Sequence, residues 1–306
     1  MSANRKCIVL AGGSGFIGRS LAREFLARNY EVIVLTRAPR ARKDGVREVQ
    51  WDGEHIGEWI QFLDDAEAVV NLTGKNINCP HTPENLRELT ESRVNSVRAI
   101  AQAFDHVSKA PRVWVQAGAI GFFGDQKEKI CDENSPNGND ALADICRQWE
   151  CAFNLANTPK TRKVLFRIGF VLGCDGGALP VLAKLAKFFL GGSAGSGKQF
   201  ISWIHVSDLA RMFVNSIEEI NFRGIFNAVA PNPVTNKEFM RELRRVSNRP
   251  WSPPAPEWAV KLGARLMKSE PSLALVGCRV SSKKILENGF KFQFSELRGA
   301  LKNLYE

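Results

Sequence analysis

An apolar run of small and β-branched residues, "CIVLAG" (7 to 12), closes on the turn "GGSGFIG", which places glycines at 12, 15 and 18 ahead of a helical pattern. This strand, glycine turn and helix limit the chain to few architectures. Gly12 permits the tight turn, Gly15 lets a backbone approach a pyrophosphate, and Gly18 lets helix and strand pack closely. Phosphates on such a turn lie at the helix N-terminus, where unpaired N–H groups and the dipole favour negative charge. The segment is therefore read as a dinucleotide cradle.

The pattern that follows extends this reading. Short apolar runs recur at "EVIVLT" (31 to 36), "REVQW" (47 to 51), "AVVNL" (68 to 72), "RVWVQAG" (112 to 118) and "KVLFRIG" (163 to 169), with helical patterns between them. Alternation of this kind predicts parallel strands joined by helices, an α/β fold. The first helix carries Ile17, Leu21 and Phe25 at four-residue steps; a longer one starts at Thr82, with Pro83 in its first turn. After Gly169 the pattern changes to glycine-rich loops, "GCDGG" and "GGSAGSG", around one amphipathic helix, then "ISWIH" and further helices. The expected division is a nucleotide-binding part over 1–173 and a smaller mixed lobe over 174–306. Residues of about 200–235 are expected to pack back on the sheet, and the proline cluster "RPWSPPAPEW" to form a loop before a last segment, 250–304.

The end of the second strand decides the cofactor. NAD asks for an acidic residue there, and this chain has Thr36 and Arg37, followed by Arg40, Arg42 and Lys43. A guanidinium pairs with the 2′-phosphate of NADP in a fork, so NADP(H) is the expected cofactor; a solvated basic loop is the bland alternative. On the Thr82 helix, Arg93 completes the apolar stripe of Leu86, Leu89, Val97, Ile100 and Phe104. An arginine on an inward face needs an anion, whether a cofactor phosphate, a substrate or a structural carboxylate.

Composition excludes other classes. With 306 residues, 44% hydrophobic and 24% charged, the chain is ordinary for a soluble globular protein. The polar start "MSANRK" shows no secretory signal, and no run approaches the ~20 apolar residues needed to span a bilayer, so no membrane partner and a cytoplasmic location are expected. Seven scattered cysteines without C-x-x-C spacing and four isolated histidines argue against disulfides and against a metal site. The formal charge of +10 is spread along the chain, which ranks nucleic-acid binding last. "GSAGSGKQ" (192 to 199) mimics a phosphate-binding loop, but Gln199 replaces the needed Ser or Thr and no helix follows; it is read as a substrate-side loop with Lys198 and Gln199 open to polar ligands.

Taken in order, "GGSGFIG", "NLTGKNI", the "SRV" around Arg93, "FRIGFVLG", "GSGKQFISWIHVSDL", "NAVAPNPVTNKEF" and "GFKFQFSELRGAL" resemble extended short-chain dehydrogenase/reductases. More narrowly they are similar to atypical epimerase family proteins of the 39U type, within the NAD-dependent epimerase/dehydratase superfamily. The resemblance implies a Rossmann-type doubly wound parallel sheet with a small C-terminal substrate lobe. It also implies cofactor contacts at Gly12, Gly15, Phe16, Ile17, Gly18, Thr36, Arg37, Leu72, Thr73, Gly74, Arg93 and Val171. Lys75 stands where relatives usually carry Glu.

Active members of that superfamily carry a Tyr-x-x-x-Lys pair on a helix, the lysine lowering the tyrosine's pKa for proton exchange. Counting back from Glu150 puts Leu142 and Cys146 at those positions, both on the apolar stripe Leu142, Ile145, Cys146, Trp149, Phe153. Gly118 and Ala119 stand where a serine is expected, Phe123 replaces a common tyrosine, and the chain's two tyrosines, Tyr30 and Tyr305, lie elsewhere. The resemblance thus implies an NADP(H)-binding oxidoreductase or epimerase without the usual relay, or a non-catalytic NADPH-responsive module. Catalytic residues, ligand and oligomeric state stay open. His205 and Asp208 of "WIHVSDL" are read as structural, and Cys146 as an improbable nucleophile, since no basic neighbour in sequence would ionise it.

Overall fold

A computed structural model describes residues 6–249 and 251–306. The polar start Met1–Arg5, read as holding no secretory signal, and Pro250 of the proline cluster lie outside the described residues. In chain order the first half runs β1 (Cys7–Ala11), α1 (Phe16–Ala27), β2 (Glu31–Thr36), β3 (Arg47–Gln50), β4 (Ala68–Asn71), α2 (Pro83–Ala103), β5 (Val113–Ala119), β6 (Ile130–Cys131), α3 (Ala141–Leu155) and β7 (Arg162–Ile168). The second half adds β8 (Phe170–Leu172), α4 (Leu179–Lys187), β9 (Phe200–Ile201), β10 (Trp203–His205), α5 (Val206–Glu218), β11 (Gly224–Ala228), β12 (Val234–Thr235) and α6 (Asn236–Val246). It ends with α7 (Glu257–Leu266), α8 (Ser272–Leu275), β13 (Arg279–Val280), α9 (Lys283–Glu287) and α10 (Leu297–Tyr305).

Seven strands form one parallel sheet in the order β11-β7-β5-β4-β1-β2-β3. The chain steps from β1 outward to β2 and β3, then returns to place β4 on the other side of β1. Because parallel crossovers are right-handed, this reversal sends helices to opposite faces: α1 packs with α5, and α2 with α3. With both faces covered, the central strands are largely apolar, as Ile8, Val9, Leu10 and Ala11 of β1 are, all fully buried. The reversal also opens a crevice at the carboxyl ends of β1 and β4, where ligands of doubly wound sheets bind.

The six expected strands appear within a residue of their expected ends. β11 was not foreseen, since Gly224 and Asn227 dilute its strand character and its partner β7 lies far back in the chain. Helix α2 starts as its sequence predicts: the Thr82 side chain accepts from the Asn85 N–H, and Pro83 opens the first turn. Ile204, Phe213, Ile217 and Phe226 of the region around α5 join the core of the large sheet. A second core gathers α4, α6 and α10 around Trp203, Phe239, Leu243 and Leu301. Two two-stranded pairs, β8 with β10 and β9 with β12, tie the second half together, and a third, β6 with β13, joins it to the first.

Candidate functional site

The turn after β1 is shaped by what its glycines touch. Gly12 sits at φ +70°, where a side chain is strained, and a Cβ there would lie 2.9 Å from the Thr73 backbone. A Cβ on Gly18 would fall 2.2 Å from the Gly13 carbonyl oxygen, so helix and turn touch through bare backbone. Gly15 differs, because a Cβ there meets nothing within 4 Å. Helix α1 begins at this point with no side-chain cap and no acidic residue in its first turn. Its amino end, with unpaired N–H groups and positive dipole, therefore borders open space.

The neighbouring strand ends complete the rim. Thr36 Oγ1 donates to Ser14 Oγ at 3.3 Å, tying the end of β2 to the turn. Arg37 is exposed and, among the described residues, forms no ion pair. The basic cluster is not uniformly free: Arg42 pairs with Asp44 at 2.5 Å and Glu48 at 3.1 Å, so the charge excess read across residues 37 to 43 narrows to Arg37, Arg40 and Lys43.

A buried polar network sets the loop after β4. Asn71, fully buried, donates to Ser96 Oγ and Gln116 Oε1, each at 3.1 Å, while its own Oδ1 accepts from Thr73 N–H at 3.0 Å. This fixes Leu72, Thr73 and Gly74 against Gly12. Thr73 Oγ1 is then left buried with no partner, and an unsatisfied buried hydroxyl is costly unless a ligand completes it. Lys75 reaches Asn85 Oδ1 at 2.6 Å and forms an ion pair with Glu88, which makes it a tether between loop and α2. Arg93 donates to the carbonyls of Leu89 (2.9 Å) and Lys75 (3.0 Å) and lies over the Trp149 ring at 5.2 Å. No carboxylate pairs with it among the described residues, which removes the structural-carboxylate reading. Burial pulls its pKa below the usual arginine value.

The loop "GCDGG" covers the same turn from the other side. The Phe16 ring is wedged under bare glycines: Cβ atoms would lie 2.4 Å from it on Gly173, 2.7 Å from Phe16 Cβ on Gly176 and 3.4 Å from the ring on Gly177. Arg19 donates to the carbonyls of Ser14 (3.0 Å) and Asp175 (2.9 Å), stapling loop to turn. Val171 O lies 3.7 Å from the Gly177 Cβ position, and Val171 and Ile17 both pack on the main core. Among the expected contact residues, the structure brings Gly12 against Thr73, Gly74 against Arg93, Thr36 against the glycine turn and Phe16 against the loop that follows Val171. The Phe16 wedge, the Arg19 staple and the Asn71 network were missed, although an Asn inside an apolar strand run is a legible signal for the last.

On α3, Asp140 caps the helix by accepting from Ala143 N–H at 2.9 Å. Cys146 is buried near Gly121, and burial pushes its thiol up to about 12, so it is no thiolate. Leu142 is half-buried. Glu150 and Arg167 form a buried bidentate pair at 2.8 Å, with the guanidinium 3.6 Å from the Phe122 ring centre. Tyr30 donates to Glu218 at 3.2 Å, Tyr305 lies beside Cys174, and burial pushes both phenols up to about 12. Asp208 is fully buried and accepts from the N–H groups of Gln293 and Phe294 at 2.9 Å. His205 caps α5 and stacks on Phe294 at 4.0 Å. The Gln199 amide nitrogen donates to the carbonyls of Ala194 and Ala274, while Lys198 beside it is exposed.

Residues 8–228 match the NAD dependent epimerase/dehydratase family. The chain belongs to that family. Residues 255–304 match a domain of unknown function, DUF1731. An epimerase family protein SDR39U1 homolog from Arabidopsis thaliana, described as chloroplastic, is 34% identical over 98% of this chain and 86% of its own length. The epimerase family protein YfhF of Bacillus subtilis is 33% identical over 97% of both chains. Among solved structures, human epimerase family protein SDR39U1, crystallised with NADPH, superposes with a TM-score of 0.88 at 30% identity, covering 98% of this chain and 99% of the other. In this member of the epimerase/dehydratase family, the matched region ends at Ala228, where β11 completes the sheet. Asp208 then anchors the DUF1731 segment to α5.

Proposed function

We propose that the chain binds NADPH across the carboxyl ends of β1, β2 and β4 and is an oxidoreductase or epimerase-like protein that dispenses with the family's tyrosine–lysine pair. One observation carries this reading: an uncapped helix amino end facing open space, flanked by the unpaired Arg37. The human relative's crystallisation with NADPH supports it, and so does the orphaned Thr73 hydroxyl. Gly12, Gly15, Phe16, Ile17 and Gly18 would hold the pyrophosphate, and Thr36 and Arg37 the 2′-phosphate. Leu72, Thr73, Gly74, Arg93 and Val171 would face the nicotinamide half. The division into parts 1–173 and 174–306 belongs to the same proposal, as does a place in the reducing cytoplasm, which the free cysteines fit.

Bound NADPH supplies a hydride for a carbonyl carbon. The chain's own part is to hold coenzyme and substrate in contact, which provides much of the rate in such reactions. Arg93 fixes a positive charge beside α3, where family members place a lysine. The buried Cys146 neither gives nor takes a proton near neutral pH, so solvent water handles the proton. That same inert thiol favours a second reading, a non-catalytic NADPH-responsive module. Incubating purified protein with NADPH and a panel of aldehydes and ketones, followed by absorbance, separates the two. Coenzyme oxidation that depends on substrate supports the enzyme; saturable binding without oxidation across the panel supports the module.

A further inference from the structure

Two apolar clusters lie outside this crevice and are wasted on solvent. At the end of α4, Phe188, Phe189 and Leu190 are all exposed, and Phe189 is held at φ +61°, a conformation that bulky residues avoid. On α7, Trp258, Leu262 and Leu266 are 68%, 53% and 77% exposed at steps of four residues. The helix is turned over: its smaller Ala259, Val260, Gly263 and Ala264 are half-buried, while its largest apolar side chains point out. Folding alone favours the reverse.

The chain between the clusters ties them together. The Arg249 guanidinium covers the Phe189 ring at 5.4 Å, and Trp251, two residues on, is exposed. The chain then runs beside Ser193–Gly195, with Gly195 N–H donating to Ala255 O at 2.8 Å, and α7 follows from Glu257. Cations border the apolar stripe. Lys184, Lys187, Arg265 and Lys268 are exposed, and the lone acid between 251 and 268, Glu257, is neutralised by Lys261 at 2.6 Å.

Charge decides the occupant. A second copy docked about a two-fold axis would bring two net-basic faces together, which repel. An anionic bilayer accepts both parts of the face, with Trp, Phe and Leu at the headgroup boundary and Lys and Arg on lipid phosphates. Among the described residues no helix is long and apolar enough to cross a membrane, so such a contact lies on the surface. We infer that the face formed by Phe188–Leu190, Trp251 and α7 docks peripherally on anionic lipid. No long apolar run announces it, because the face is assembled from a turn and one side of a short helix. The segment after α7 also reaches the loop between β4 and α2: Ser269 hydrogen-bonds Asn78, and Glu270 accepts from His81 N–H at 3.2 Å.

Cosedimentation of the full chain with vesicles of equal parts phosphatidylglycerol and phosphatidylcholine, against phosphatidylcholine alone, tests this. Binding to the anionic vesicles should be at least about tenfold tighter and should weaken with added salt. The pairs Trp258→Ser with Leu262→Ser, and Phe188→Ser with Phe189→Ser, should each lower it about tenfold. Their thermal midpoints should stay close to that of the unsubstituted chain, since more than half of each side chain is exposed. Equal binding to both vesicle types, binding to neither, or variants that bind like the unsubstituted chain would overturn the inference. So would a dimer in sedimentation velocity that Trp258→Ser abolishes, which would assign the face to a second copy.

Discussion

Arg37 is one residue beyond β2 and has no acidic partner among the described residues, whereas Arg42, five residues on, is spent on Asp44 and Glu48. A charge-assisted fork to a phosphate is worth about 1.5–3 kcal/mol. Arg37→Asp should therefore weaken NADPH binding by about 10- to 100-fold while NADH binding holds or improves, read by fluorescence titration of both coenzymes; unchanged preference removes Arg37 from the account. His205 offers a pH test. Burial lowers its pKa from the ordinary 6.5 to about 4, so the unfolded chain takes up a proton where the folded one does not. Its contribution is complete above pH 6.5 and drains away as pH falls toward 4. Asp208, pushed up by burial, acts in the opposite sense. The variant His205→Asn, which keeps a helix-capping side chain, isolates the histidine: its urea midpoint should fall less on acidification than the unsubstituted chain's. Backbone roles were legible where spacing carries them, as for the tight turn at Gly12 and the close approach at Gly18. They were not legible where like side chains differ only in company, as Arg37 and Arg42 do.

Elements are joined by contacts that sequence alone does not announce. Glu150 on α3 and Arg167 on β7 each look like ordinary charged residues, yet they form a buried bidentate pair under the Phe122 ring. Removing one partner strands the other charge, at a cost of about 3–5 kcal/mol. Glu150→Gln should thus lower unfolding free energy by that order in urea titrations, and Glu150→Leu combined with Arg167→Met should recover part of it. A loss under about 1 kcal/mol in the single variant would show that water reaches the pair. β11 escaped notice for a related reason. Its pairing with β7 is long-range, and Asn227, which reads as a turn residue, is held in the strand by tertiary bonds from its N–H to Glu133 and from its amide nitrogen to Ser281.

The whole molecule depends on how its second half closes over the first. The sheet was legible because alternating apolar runs and helices leave few topologies. The closure was not, since Asp208 gathers the backbone of Gln293 and Phe294 from far along the chain, and Cys174 of the glycine loop donates to Leu304 O at 2.9 Å. Asp208→Ala leaves two buried N–H groups unpaired, so hydrogen exchange over residues 290 to 305 should speed up while the β1 to β5 core keeps its protection. Uniform acceleration across the chain would mean that the halves unfold as one. The account rests on coenzyme binding at the uncapped end of α1, and calorimetric titration of NADPH into the purified chain tests this most directly. Saturable heat at one coenzyme per chain, much weaker with NADH, is the predicted result; no heat with NADPH would contradict it.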